Sequence, residues 1–268
     1  MVDFTMEREK ILKENLKLYK LESKNYISLH PEIYNWFEQK KIQRDLELLR
    51  KKVKGNEALD IGCGMGNITL KLLPLGFRVT ALDISTTMIK KVKRALPAET
   101  AVNLDIVETD IDTFLSKHAD SYNLVTMSSV LHHIPDYLES LQKIIGFIVV
   151  GGFLYITHEP LKDVLTKEDR LLRKLLWQID YRCYLAKKRG KIEAIDGVDW
   201  RLSDYHLYKG LDHDRVRGIL EEKGFKVFFR KYSSNMRLGV SNWIDTNLLG
   251  TEAQFKIIAE KAYSGINA

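Results

Sequence analysis

Residues 5 to 22, TMEREKILKENLKLYKLE, set Met6, Ile11, Leu12, Leu16, Leu18, Tyr19 and Leu21 at helical spacing while Glu and Lys fill the remaining positions. This predicts an amphipathic helix. A second helical stretch runs from about Pro31 to Lys52 and leads into Gly55. Beyond it the pattern changes to short apolar runs alternating with helical segments. Ala58 to Ile61, Arg78 to Leu82, Val102 to Val107, Tyr122 to Met127 and Phe153 to Thr157 read as strands. Between them, Asn67 to Leu75, Ser85 to Leu96, Ile111 to Lys117 and Asp136 to Ile145 read as helices. Strands apolar on both faces, each followed by a helix, imply a parallel sheet covered on both sides. After Pro160 the alternation stops, then resumes with a helix at Asp212 to Lys223 and strands at Phe225 to Tyr232 and Ala253 to Ala259. The interruption carries Trp177, Tyr181, Tyr184, Trp200, Tyr205 and Tyr208, with basic KKRGK at 187 to 191, and reads as an insertion.

Composition narrows the class. The chain has 268 residues, 45% hydrophobic and 29% charged, which fits one globular core plus an accessory region. Its longest apolar run, Ile144 to Ile156, is broken by Gly146, Gly151 and Gly152 and falls short of the roughly twenty residues of a membrane span. The first residues, MVDFTMEREK, put charges where a secretory signal needs an apolar stretch, so the expected location is cytoplasmic. Cys63 and Cys183 are expected as free thiols. Forty-two Lys and Arg against 36 Asp and Glu leave a net +6, compatible with an anionic partner without requiring one.

The segment richest in chemistry is Leu59 to Asn67, LDIGCGMGN, directly after a predicted strand. Gly62, Gly64 and Gly66 permit a sharp turn and expose main-chain atoms to a ligand. The dinucleotide fingerprint requires glycine where this chain has Asn67, so the pyrophosphate pattern is not met. Asp83 ends the next strand, placed to accept both hydroxyls of a ribose, and Asp110 ends the third, placed to accept from an adenine amine; Asp60 precedes the glycines. Alone, each acid reads as a turn or helix cap. Three acids at three successive strand ends beside a glycine loop point to a nucleoside lying across the sheet's carboxyl edge.

With LDIGCGMGN, VTALDIS, VETDI, YNLVTMSSVLHHIPD and GGFLYITHEP in this order, the chain resembles the class I S-adenosylmethionine-dependent methyltransferases over roughly residues 55 to 160 and 212 to 261. The resemblance implies an α/β, Rossmann-like, seven-stranded, mostly parallel sheet whose last strand is antiparallel, with helices on both faces. Around that core (55–159 and 212–268) it leaves an N-terminal helical lid (1–54) and an inserted helical cap (160–211). It further implies S-adenosylmethionine as cofactor, with Gly62, Gly64 and Gly66 cradling methionine and ribose. Asp83 would hold the ribose, Asp110 and Ile111 would flank adenine, and Ser128 would lie near the methionine amino group. Asp60, Cys63, Asn67, Ile84 and Met88 complete the expected set, Cys63 as a packing residue.

The reaction so implied is an in-line displacement at a sulfonium methyl, which needs alignment more than it needs a covalent nucleophile. A base near neutral pKa assists when the acceptor is a hydroxyl or ammonium. His158, beside Glu159, and His206 are the expected bases by position, with His133 after them. Tyr26, His30, His132 and Tyr205 are expected to line the acceptor pocket. No metal is expected, because His132 and His133 are adjacent and lack a third ligand. At least half of the cap aromatics are expected to pack the cap itself, the others to line the pocket. The expected partner is a small-molecule acceptor, and a homodimer is compatible with the chain. Two rivals stand beside this reading. A nucleic-acid methyltransferase draws on KKVKR at 90 to 94 and KKRGK, but SSVL stands where base methyltransferases carry an N/D-P-P-Y loop. The other rival is a cofactor-binding protein without turnover. The N-terminal helix is expected to close over the acceptor, so that its loss leaves cofactor affinity only modestly weakened.

Overall fold

The computed structural model describes residues 4–162, 170–187, 199, 202, 205–206, 210–234 and 236–262. Trp200, Tyr208 and 188–191 of the basic cluster lie outside the described residues. Seven strands form one sheet: β1 (Glu57–Ile61), β2 (Arg78–Asp83), β3 (Leu104–Glu108), β4 (Tyr122–Ser128), β5 (Ile148–Pro160), β6 (Phe225–Tyr232) and β7 (Gln254–Lys261). Their order is β3-β2-β1-β4-β5-β7-β6, and β7 runs antiparallel to both of its neighbours. The first five strands are parallel. Strand order reverses between β1 and β4, whose carboxyl ends therefore open a crevice suited to a ligand.

Apolar residues on both faces of the strands build two cores. On one face, Ile42, Leu46 and Leu49 of α4 (Trp36–Lys52) pack on Leu72, Phe77, Val79 and Tyr155. On the other, Leu141 and Ile144 of α8 (Tyr137–Ile144) pack with Leu59, Val125, Leu154 and Ile257. Each fully buried Leu or Ile contributes on the order of 1.5–3 kcal/mol. The remaining helices of the first half are α1 (Phe4–Glu22), α2 (Tyr26–Leu29), α3 (Pro31–Tyr34), α5 (Thr69–Leu72), α6 (Thr86–Ala95) and α7 (Ile111–Lys117). After β5 come α9 (Arg170–Lys187), α10 (His213–Glu222) and α11 (Gly239–Asn247). Among the described residues no helix is long and apolar enough to cross a membrane.

Four local features depart from the sequence pattern. The predicted helix from Pro31 to Lys52 is broken at Asn35, which turns extended and caps α4 by accepting from the Phe37 and Glu38 amides at 3.0 and 3.1 Å. Val102 lies outside β3 in a 310 turn, Ala98–Asn103, because β2 begins at Arg78 and offers no pairing partner before Leu104. β5 starts earlier than predicted and bulges against β4 between Tyr122 and Leu124. At Gly152 a Cβ would come within 2.9 Å of the Val149 carbonyl, so the bulge requires glycine. Helix α11, between β6 and β7, had no counterpart in the pattern reading.

Candidate active site

A cleft of about 910 Å3, counted to its open mouth, lies at the carboxyl ends of β1, β2 and β4. Gly62 and Gly64 form its floor in the left-handed region, at φ 66° and 53°. A Cβ on Gly64 would meet nothing within 4 Å, leaving the main chain open to a ligand. The Gly64 amide donates to Asp83 Oδ2 at 2.7 Å and the Ser85 amide to Oδ1 at 2.8 Å, which fixes the Asp83 carboxylate at the cleft wall. Burial pushes the Asp83 pKa up in spite of these donors. Ile84, Met88 and Ile111 supply apolar wall. Across the cleft, α1 contributes Ile11, Leu12, Asn15 and Tyr19. Asn15 Oδ1 is buried without a hydrogen-bond partner. An anchored acid acceptor, open backbone, apolar walls and an orphaned amide oxygen fit a nucleoside with polar donors.

The cleft continues past Tyr19, Tyr26, Ser129 and His133 into a second chamber reached by four histidines: His30, His132, His133 and His158. Three of these face buried carboxylates. His30 holds Glu22 at 2.9 Å and Glu32 at 3.3 Å; burial opposes its charge, but the two acids outweigh it and raise its pKa to about 10. His158 Nε2 meets Glu38 at 3.2 Å, and its Nδ1 lies 3.5 Å from Ser128 Oγ. Glu38 also accepts from Lys41 and Asn242; although burial works to raise its pKa, His158 and Lys41 hold it below the usual range. His132 Nδ1 lies 2.9 Å from Glu159 Oε2. Glu159 is fully buried and accepts the amides of Val130, Leu131 and His132 at 2.7, 2.9 and 3.2 Å, pinning the 310 turn Leu131–His133. Ser129 and His158 both adopt left-handed backbone, φ 57° and 58°, at the ends of β4 and β5. Ser129 Oγ donates to the His158 carbonyl at 3.2 Å, tying the two strained residues together.

Residues 59–154 match the family model described as a methyltransferase domain. The chain is 29% identical over 108 residues to the ubiquinone biosynthesis O-methyltransferase of Saccharophagus degradans, covering 40% of this chain and 45% of that one. It is 28% identical over 116 residues to the enzyme of the same name from Xanthomonas campestris pv. campestris, covering 43% and 48%. The chain thus spans about half the length of the curated relatives it matches. Two solved structures share the fold. One is the DhpI complex with S-adenosylhomocysteine (TM-score 0.54, 13% identity, 95% of this chain and 98% of that one). The other is the plantazolicin methyltransferase BpumL with S-adenosylhomocysteine (TM-score 0.53, 17% identity, 96% and 100%).

Within the matched residues 59–154, Gly62, Gly64, Asp83, Ile84, Met88, Asp110, Ile111 and Ser128 line the cleft, while Cys63 and Asn67 line its side toward Tyr34. Burial pushes the Cys63 thiol up, which suits a packing residue. Asp60 turns inward: Oδ2 accepts the Thr69 amide and hydroxyl, and Oδ1 accepts Thr126 Oγ1 at 2.7 Å. Burial raises its pKa to about 6. It braces the loop from behind. Gly66, at φ 85°, sits against Leu70 and Val92 and turns the chain into α5. Asp110 caps α7, accepting from Asp112, Thr113 and the Thr113 hydroxyl.

Outside residues 59–154 more is rearranged. Tyr26 and His30 reach the chamber. His206 is not among its described lining: Nε2 lies 2.9 Å from the Pro135 carbonyl and its amide donates to the His132 carbonyl at 2.8 Å, so it fastens the turn. A ring nitrogen bound to a carbonyl carries the hydrogen, so Nε2 serves here as a donor. Tyr205 packs edge-on to His206. His133 Nε2 bonds Tyr19 across the groove mouth at 3.2 Å. Of the described cap aromatics, Trp177 and Tyr181 stack on each other and Tyr184 donates to the Ser28 carbonyl; none of them lines the groove. Among the described residues no three-ligand metal cluster occurs. The pattern reading missed Asn15, Glu22, Glu32, Glu38 and the orphaned Gln254 of the chamber. For Asn15 a signal existed, since it lies one turn from Ile11 and from Tyr19 on a single face.

Proposed function

We propose that this chain transfers the methyl group of S-adenosylmethionine to an oxygen or nitrogen of a small molecule held in the histidine chamber. The observation that carries the reading is the continuity of the groove, from Asp83 and the glycine loop through Ser129 to the chamber. When bound, the cofactor supplies an already activated sulfonium methyl. Asp83 accepts the ribose hydroxyls, the Gly62–Gly64 backbone receives the methionine and ribose portion, and Met88, Ile84 and Ile111 enclose adenine. Asn15 and Tyr19 close the cleft from α1 and keep water away, so the N-terminal helices serve as lid.

His132 is the residue built to take the acceptor's proton. Its Nδ1 hydrogen goes to Glu159, which as a carboxylate only accepts, and this leaves the lone pair on Nε2. The ring lines the chamber, and no hydrogen bond occupies Nε2 among the described residues. His30, charged at neutral pH, instead supplies a fixed donor. The two ubiquinone relatives are named as O-methyltransferases, which favours an oxygen acceptor.

Calorimetry with S-adenosylhomocysteine, followed by methyl transfer to a panel of catechols, phenols and amines read by mass spectrometry, tests the reading. The parent should bind and should methylate at least one class. His132→Asn should lose about a hundredfold or more in kcat while its affinity for S-adenosylhomocysteine stays unchanged. A parent that fails to bind S-adenosylhomocysteine would sink the proposal.

A further inference from the structure

Helix α9 is amphipathic in the wrong sense for a surface helix. Its inward face is polar and aromatic: Asp180 accepts the Arg237 and Leu238 amides, both at 2.9 Å, and Arg173 reaches Asp245 at 3.5 Å. Its outward face carries Leu171, Leu172, Leu175 and Ile179, exposed by 71, 65, 47 and 58%. At about 100° per residue these four span an arc of about 100°. Single exposed leucines are ordinary; a contiguous aliphatic stripe fixed outward by its own buried anchors is not. The adjoining α11 exposes Val240 and Trp243.

Charge selects the occupant of this face. Helix α9 contains Arg170, Arg173, Lys174, Arg182 and Lys187 against a single acid, Asp180, which is fully buried. The sequence continues with Lys188, Arg189 and Lys191. We propose that α9 docks on an anionic lipid bilayer, with the leucine stripe entering the interface and Lys174, Arg182 and Lys187 meeting acidic headgroups. A second copy of the chain fits less well, since two such helices face to face would oppose like charges. Docking of this kind holds whatever chemistry the groove performs.

Sedimentation of the full chain with vesicles tests it. The parent should pellet with phosphatidylcholine/phosphatidylglycerol vesicles, pellet far less with pure phosphatidylcholine, and be released by raised salt. Leu171→Glu/Leu175→Glu/Ile179→Glu should lower the partition coefficient at least about tenfold with an unchanged melting curve. Lys174→Glu/Arg182→Glu, which leaves every apolar contact in place, should do the same on anionic vesicles only. Equal pelleting of parent and both variants, or no pelleting of the parent, would overturn the proposal. So would a concentration-dependent dimer in ultracentrifugation that the leucine variant abolishes, because the stripe would then be a self-interface.

Discussion

The two ends of the groove are built from different materials. At the cleft end the ligand-facing groups are mostly backbone and aliphatic side chains, with Asp83 held by the Gly64 and Ser85 amides. At the chamber end the walls are imidazole–carboxylate pairs, His30 with Glu22 and Glu32, His132 with Glu159, His158 with Glu38. The first kind of site binds a constant ligand by shape and a fixed acceptor. The second stores charge in a dry place, where each partner's removal strands the other, and it can exchange protons. Stability and affinity should therefore separate along the groove.

The largest expected effect is on stability at the chamber end. Glu159→Ala leaves three amides and His132 without their acceptor, and should cost about 3–5 kcal/mol in urea unfolding. Its affinity for S-adenosylhomocysteine, where the protein remains folded, should hardly change. Asp83→Ala should lose about 2–4 kcal/mol of S-adenosylhomocysteine affinity by calorimetry and, stranding only the Gly64 and Ser85 amides at an open cleft wall, should cost less in unfolding than Glu159→Ala. If both variants shifted both measurements alike, the two ends would be one cooperative unit.

Removing residues 1–25 is the next test in size. Because Ile11, Leu12, Asn15 and Tyr19 line the cleft itself, the deletion should weaken S-adenosylhomocysteine roughly tenfold or more, against the modest loss expected of a lid confined to the acceptor. Calorimetry on the folded truncated chain decides it. The last test reads a slope rather than a single step. His30 has a folded pKa of about 10, above its ordinary 6.5, so its stabilisation is complete below the lower value and disappears as pH rises through the higher. Unfolding free energy between pH 7 and 10 should fall by up to about 1.4 kcal/mol per pH unit from this group. His30→Gln should remove that component of the slope, and an unchanged profile would show His30 uncharged.

The cleft end was legible in the chain because its parts are local. Each of Gly62, Gly64, Asp83, Asp110 and Ser128 sits at or just beyond the end of a strand that the apolar pattern locates, and strand order alone brings them together. The chamber end was not, because its pairs join distant segments: Glu38 meets His158 across 120 positions. His158 and Glu159, adjacent in the chain, do not pair with each other. His158 sits in left-handed backbone where β5 shifts register against β7, and the two side chains serve separate partners, His158 with Glu38 and Glu159 with His132. Val102 misled by composition, being β-branched where no neighbouring strand existed to pair with it.

The grip of Glu159 on the turn after β4 makes three consecutive amide hydrogens depend on a side chain 27 to 29 positions further along. A turn of this length, left to itself, frays quickly and exchanges its hydrogens with solvent independently of the rest of the molecule. Here Val130, Leu131 and His132 should instead exchange as one group, at the rate at which β5 leaves β4. Their deuterium uptake becomes a gauge of sheet closure, read where the fold and the chamber share the Glu159 carboxylate.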